Sequence, residues 1–236
     1  MTNGPNLKGI IFDKDGTLFD FNATWGAWAG TMISAEAGGD TSLITALSHR
    51  LGYDYGAGRF RPGSIVIAET VDVVADAILD VLQKDDKPSL IQRMNAAAHQ
   101  VPQAEAAPLI PFFETMRSFN MKLGVATNDT EGPARTHLAR AGVVDMLDFV
   151  AGSDSGFGGK PAPGQLLAFC EAVGLTPEVC AMVGDSTHDL FAGQSAGMRT
   201  IGVLTGPALR AELEPHADVV LDSIADIPSW IAANRL

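Results

Sequence analysis

The first apolar run of the chain is short and unbroken. Ile10, Ile11 and Phe12 follow Gly9 with no polar alternation and stop at Asp13, so residues 9–13 read as a strand buried on both faces, as in the centre of a parallel sheet. From roughly residue 22 to 100 the periodicity is helical, with little strand character. Trp25, Trp28, Met32 and Ile33 share one helical face, and Leu43, Ile44, Leu47 and Leu51 share another that Gly52 ends. Residues 65–82 are periodic and rich in Ala and Val, and Pro88 opens a further helix through Met94 and Ala98.

After the stretch VPQAEAAP the pattern changes. Helical segments at 112–119, 134–141, 165–173 and 190–196 alternate with strand-like segments at 122–127, 149–152, 179–183, 200–204 and 219–221. Such alternation predicts right-handed βαβ units and an α/β fold built on a doubly wound parallel sheet. The expected division is a core made of residues 1–20 and 103–236, with a helical domain of residues 21–102 inserted after the first strand. In open parallel sheets ligands bind beyond the carboxyl ends of the strands. Asp13, Thr127 and Asp185 all stand at such ends, so neighbouring strands would bring them to one crevice.

Composition narrows the function. With 236 residues and 46% hydrophobic content the chain has material for a sizeable core. A net charge of −12 argues against nucleic acid and against an anionic membrane surface, both of which need clustered basic side chains. It does not exclude a small phosphate substrate, which local charges and backbone dipoles recognise. Two cysteines offer no disulfide framework, no apolar run reaches membrane-spanning length, and the opening MTNGPNLKG lacks a signal-peptide layout, so a soluble cytoplasmic protein is expected. Monomer and homodimer remain equally open.

Four stretches carry candidate chemistry. In Asp13-Lys14-Asp15-Gly16-Thr17 the two acids are two residues apart and face the same side of an extended chain. They read as a solvated Asp-Gly turn, or as a nucleophilic carboxylate beside a general acid/base whose repulsion a divalent cation, Mg²⁺ by its oxygen preference, relieves. In GDSTHDL, Asp185 and Asp189 lie one helical turn apart; helix capping explains either acid alone, but four carboxylates converging on one crevice call for a metal. Lys160 in GGKPAPG is a solvated loop charge, or the cation that offsets nucleophile and phosphate. Thr127 and Asn128 form a turn, or rest a phosphate oxygen on a hydroxyl and an amide.

The ordered set DxDGT, TN, KP and GDSxxxD on an α/β alternation resembles the haloacid dehalogenase superfamily across the whole core. The segment VGDSTHDLFAGQSAGMRTIGVLTG is most similar to its phosphoglycolate phosphatase-like branch, and residues 21–102 look like the family's helical cap. The resemblance implies a Mg²⁺-dependent phosphatase acting on a small phosphorylated metabolite such as 2-phosphoglycolate. Asp13 would attack phosphorus and form an aspartyl phosphate, and Asp15 would protonate the leaving alcohol and then deprotonate water. Asp13, the main-chain carbonyl of Asp15 and Asp185 would hold Mg²⁺. Asp189 would orient waters or Lys160, and Thr127, with main-chain N–H groups, would cradle the phosphoryl oxygens. Dehalogenases of the superfamily lack an acid at the Asp15 position, so its presence favours a phosphatase. A phosphomutase shares the core residues, and a phosphoaccepting signalling receiver would be shorter, capless and differently ordered. Lysines in the cap, Lys84 and Lys87, give little support to Schiff-base phosphonate chemistry. Lys14 departs from the apolar residue usual there and is expected to point away from the phosphate. Arg59 and Arg61, in GYDYGAGRFRPGS, either bind a substrate carboxylate or lie on the solvated surface.

Overall fold

The computed structural model describes residues 7–233 apart from 62, 68, 85 and 102; the first six residues, part of the segment read above for a leader pattern, lie outside that set. Strand β1 (Gly9–Phe12) leads into helices α1 (Phe21–Glu36) and α2 (Thr41–Leu51), a hairpin of β2 (Tyr53–Asp54) and β3 (Arg59–Phe60), and helices α3 (Val71–Leu82) and α4 (Lys87–Ala98). Strands and helices then alternate: α5 (Leu109–Ser118), β4 (Lys122–Ala126), α6 (Glu131–Arg140), β5 (Phe149–Ala151), α7 (Gly164–Val173), β6 (Cys180–Gly184), α8 (Thr187–Ala196), β7 (Arg199–Val203), α9 (Arg210–Leu213), β8 (Val219–Leu221) and α10 (Ile227–Ala233).

Six strands form one parallel sheet in the order β5-β4-β1-β6-β7-β8. β1 lies between β4 and β6, with Phe12 level with Val125 on one side and Val183 on the other. Every residue of β1 is buried, as its unbroken apolar run requires. One face of the sheet, through Ile10, Phe12, Leu123 and Val183, packs against α5 and α10. The other, through Ile11, Ala126 and Met182, packs against α7 and α8. Gly124 lets α7 approach: a Cβ there would stand 2.7 Å from the Phe169 ring. The result is the expected α/β architecture, with helices on both faces and three strand ends side by side at the carboxyl edge.

Helices α1–α4 and the hairpin assemble a separate apolar cluster around Ile33, Leu47, Leu51, Ile78 and Leu90. Their starts are set by sequence: the Asp20 and Asp40 side chains accept from main-chain N–H groups at the first turns of α1 and α2, and Pro88 sits in the first turn of α4. Residues 65–82 divide into a short 3₁₀ turn (Ile65–Ile67) and α3. The hairpin of β2 and β3 departs from the helical periodicity read across residues 22–100. Two-residue strands are too short to show period-2 alternation, so helical neighbours mask them. No helix among the described residues is long and apolar enough to cross a membrane.

Phe113 anchors α5 on the sheet; it is fully buried, with its ring 5.7 Å from that of Phe12 in an edge-to-face contact. Phe113→Ala is expected to cost about 3–5 kcal/mol of stability. Urea unfolding should show a lowered midpoint at unchanged slope.

Candidate active site

Asp13 follows the last residue of β1, and its main-chain N–H still donates to Val183 O at 2.8 Å, so the strand geometry aims its side chain past the sheet edge. Gly16 then turns the chain at φ +85°, a conformation that favours glycine. Lys160 Nζ reaches Asp13 Oδ1 at 2.5 Å and Asp189 Oδ1 at 2.6 Å. Asp189 Oδ2 accepts from Ser186 N at 3.1 Å and Ser186 Oγ at 2.7 Å, a capping arrangement that fixes it in the first turn of α8. Asp185, one residue past β6, accepts a 3.3 Å hydrogen bond from Thr17 Oγ1.

The loop that carries Lys160 is held from β4. Asn128 Nδ2 donates to Lys160 O at 2.9 Å, and Lys160 N donates to Asn128 Oδ1 at 2.8 Å. Asn128, expected at a phosphate oxygen, thus has both ends of its amide on the lysine's backbone. Thr127 is buried, and its Oγ1 accepts from Asp129 N at 3.1 Å, which leaves the hydroxyl proton to donate. All of Asp13, Asp15, Thr127, Asn128, Lys160, Asp185 and Asp189 line one cavity of about 90 Å³. Arg59 and Arg61 do not. Phe60 turns inward onto Phe21 and Tyr53, and strand alternation then sends the residues on either side of it outward, where both are exposed.

The electrostatics call for another cation. Burial pushes the Asp13 carboxyl up to about 7; Lys160 opposes this, while Asp189 and Asp15 reinforce it. Asp185 is raised well above the ordinary range by burial and by the charges of Asp13 and Asp189. Burial works against the charge on Lys160, but the two carboxylates outweigh it and push the ammonium up. Carboxylate oxygens of Asp13, Asp185 and Asp189 converge within 4.8 Å of one another. Lys160 and Ser186 engage both oxygens of Asp189, so Asp13 and Asp185 are the two carboxylates best placed to hold an ion. Among the described residues no cation pairs directly with Asp185. Its carboxylate lies close against the main chain at Gly206, where a Cβ would fall 1.7 Å from Oδ2. An all-oxygen, buried, negatively charged cluster fits a hard divalent ion such as Mg²⁺.

A second set of charges lies behind the first. Lys14 is fully buried and does not line the cavity. Its Nζ is 2.5 Å from Asp15 Oδ2, 3.5 Å from Asp129 Oδ2 and 3.3 Å from His137 Nδ1, and stands 5.3 Å from the centre of the Trp25 ring. His137 Nε2 lies 2.8 Å from Ala98 O, a pure acceptor, so Nε2 carries the proton and Nδ1 accepts from Lys14. Burial and the Lys14 charge bring His137 down to about 4, which keeps it neutral. Burial raises Asp129 to about 6 despite Lys14. Asp129 and His137 escaped the sequence reading; the available signal was Lys14 itself, a lysine at a buried position that must find acids.

A family model for haloacid dehalogenase-like hydrolases matches residues 7–197, from the residues before β1 to the end of α8. The chain belongs to this family. Pyrophosphatase PpaX of Bacillus pumilus is 22% identical over 239 residues, covering 98% of this chain and all of that protein. Phosphoglycolate phosphatase of Rhodospirillum rubrum is 32% identical over 111 residues, covering 47% of this chain and 46% of that one. A solved structure of a predicted phosphoglycolate phosphatase from Haemophilus somnus superposes with a TM-score of 0.73 at 21% identity, over 95% of this chain and 98% of that one, a likeness of fold. The matched range includes the strand-end carboxylates and Lys160.

Two predictions follow from the charges. Lys14→Met strands Asp15 and Asp129 in a buried setting and should cost about 3–5 kcal/mol in urea unfolding; adding Asp129→Asn should recover part of the loss. The second concerns pH. Asp13 is held at about 7 in the fold against 3.8 unfolded, so the native state binds more protons between those values. Asp129 and Asp185 act in the same direction and His137 in the opposite one. Stability of the protein in EDTA should fall as pH rises from about 5 to about 7.5, and Mg²⁺ should raise Tm more at the higher pH. A Tm in EDTA that rises across that interval contradicts the charge assignment.

Proposed function

We propose that the protein is a Mg²⁺-dependent phosphatase that hydrolyses a small phosphate monoester through an aspartyl phosphate on Asp13. The observation that carries this reading is the pairing of roles on one cavity. Asp13 has one oxygen held by Lys160, and Asp15, two residues on, lines the same space with a buried Oδ1 that has no hydrogen-bond partner. A nucleophile and a proton carrier side by side suit an ester whose leaving alkoxide needs a proton; a halide would need none.

In the first half-reaction Asp13 attacks phosphorus in line, the bond to the leaving oxygen breaks, and that oxygen takes its proton from Asp15. In the second, Asp15 accepts a proton from water as the water oxygen attacks phosphorus, and the Asp13–phosphate bond breaks. Lys160 and the Thr127 hydroxyl stabilise charge on the phosphoryl oxygens. Asp189 and Asn128 hold Lys160 in place from its ammonium and from its backbone. Mg²⁺, held by Asp13, Asp185 and the Asp15 carbonyl, would supply charge neutralisation for the carboxylates and phosphate together. Residues 21–102 serve as a cap that keeps bulk water from this chemistry.

Asp13→Asn should lower kcat on p-nitrophenyl phosphate by roughly 10³-fold or more while circular dichroism stays unchanged. Residual activity within tenfold of wild type would move the nucleophile elsewhere. EDTA should abolish phosphate release and excess Mg²⁺ restore it; full turnover in chelator would remove the metal from the mechanism.

A further inference from the structure

We infer that the leaving group of the substrate is uncharged and largely apolar rather than a carboxylate-bearing or phosphate-bearing group. The inference rests on the phosphatase reading above and concerns the half of the cavity that the phosphate does not occupy.

That half is contributed by the inserted helices. Its lining includes Phe21, Trp25 and Trp28 from α1, Val74 from α3 and Met94 from α4, and its polar members are Glu69 and Asn95. Among the described residues it holds no lysine or arginine. Lys160 and His188 are the basic residues that reach the cavity, and both are engaged by acids. Lys160 is closed between Asp13 and Asp189. His188 Nε2 lies 3.7 Å from Glu69 Oε1. Arg59 and Arg61 face outward. The carboxylate of glycolate, or the second phosphate of pyrophosphate, would lie against indole and alkyl groups with the Glu69 carboxylate nearby, a buried charge with no free lysine or arginine to neutralise it. An apolar body would lose water on both sides and stack on the Trp25 and Trp28 rings, which meet edge to face at 5.1 Å. Trp28 adds one polar demand. Its Nε1 is buried with no hydrogen-bond partner, and an indole N–H only donates. An acceptor oxygen on the apolar body would satisfy this donor, and a ring π face would meet it more weakly.

The test compares phosphate release in Mg²⁺ from benzyl phosphate, 2-phosphoglycolate and pyrophosphate. The first two are both esters of primary alcohols, so leaving-group reactivity differs little between them. kcat/KM for benzyl phosphate should exceed that for the other two by at least about tenfold. Benzylphosphonate should inhibit competitively at concentrations about tenfold below those of phosphonoacetate, a readout that needs no turnover of the test compound. In Glu69→Arg the preference between benzyl phosphate and 2-phosphoglycolate should move toward the latter by about tenfold, because an acid at the rim is replaced by a cation. Equal or better turnover of 2-phosphoglycolate or pyrophosphate by the wild type overturns the inference and leaves the phosphatase reading standing. No phosphate release from any of the three, with wild type and Asp13→Asn alike on p-nitrophenyl phosphate, removes the phosphatase reading and the inference with it.

Discussion

A single ammonium between two buried carboxylates is the contact on which the rest of the site depends. Parallel strands that end side by side deliver Asp13 and Asp185 to one point, and α8 adds Asp189 from its first turn. Acids so close, away from water, cannot all stay ionised without a partner. Lys160 is that partner, and it comes from a loop with no strand to fix it. The molecule compensates by clamping the loop: the Asn128 side chain binds both the N–H and the carbonyl of Lys160, and Gln165 ties the start of α7 to Thr127 O at 3.0 Å. The polar residues around the lysine thus serve its position before they serve any substrate.

The same logic explains the second charge set. Asp15 lines the same cavity as Asp13, which places another carboxylate in a crowded acidic site. Lys14 answers from behind, on the opposite side of the chain, where it cannot compete with Lys160 for the substrate. Its burial then recruits Asp129 and a neutral His137. Through His137 this set reaches Ala98 O at the end of α4, so the placement of Asp15 and the seating of the inserted helices share one hydrogen-bonded chain. A change at the α4 end therefore has a direct route to Asp15.

Legibility from sequence followed the same division. Asp13, Asp15, Thr127 and Asp185 were readable because a parallel sheet brings its strand ends together whatever the details of packing, and Asp189 because it follows Asp185 by one helical turn; Lys160, on a loop, was readable only beside that acidic set. The partners that hold them were not. Nothing in a string of letters pairs Asn128 with the backbone of a residue 32 positions away, or His137 with Lys14 across 123. Arg59 and Arg61 show the opposite failure. A glycine-rich basic stretch suggested a binding loop, but two residues of strand on either side of the turn were enough to impose alternation, and Phe60 took the inward position. Lys14 shows an intermediate case: its direction away from the cavity follows from its neighbours, while its full burial and its acid partners do not.

The contrast between the two halves of the cavity is itself a consequence of the charges. Coulombic attraction between Lys160 and its carboxylates weakens in proportion to the water that reaches them. A polar or charged wall over the site would bring water with it and loosen the lysine. An apolar wall of Phe21, Trp25, Trp28 and Met94 keeps the dielectric low above the ion pairs and stands beside the Lys14 ammonium through Trp25. The wall that strengthens the catalytic electrostatics is thereby the wall least able to host a charged leaving group. In this arrangement, the selectivity against charge that we infer and the tight placement of Lys160 would arise from the same side chains, so a change to one should change the other.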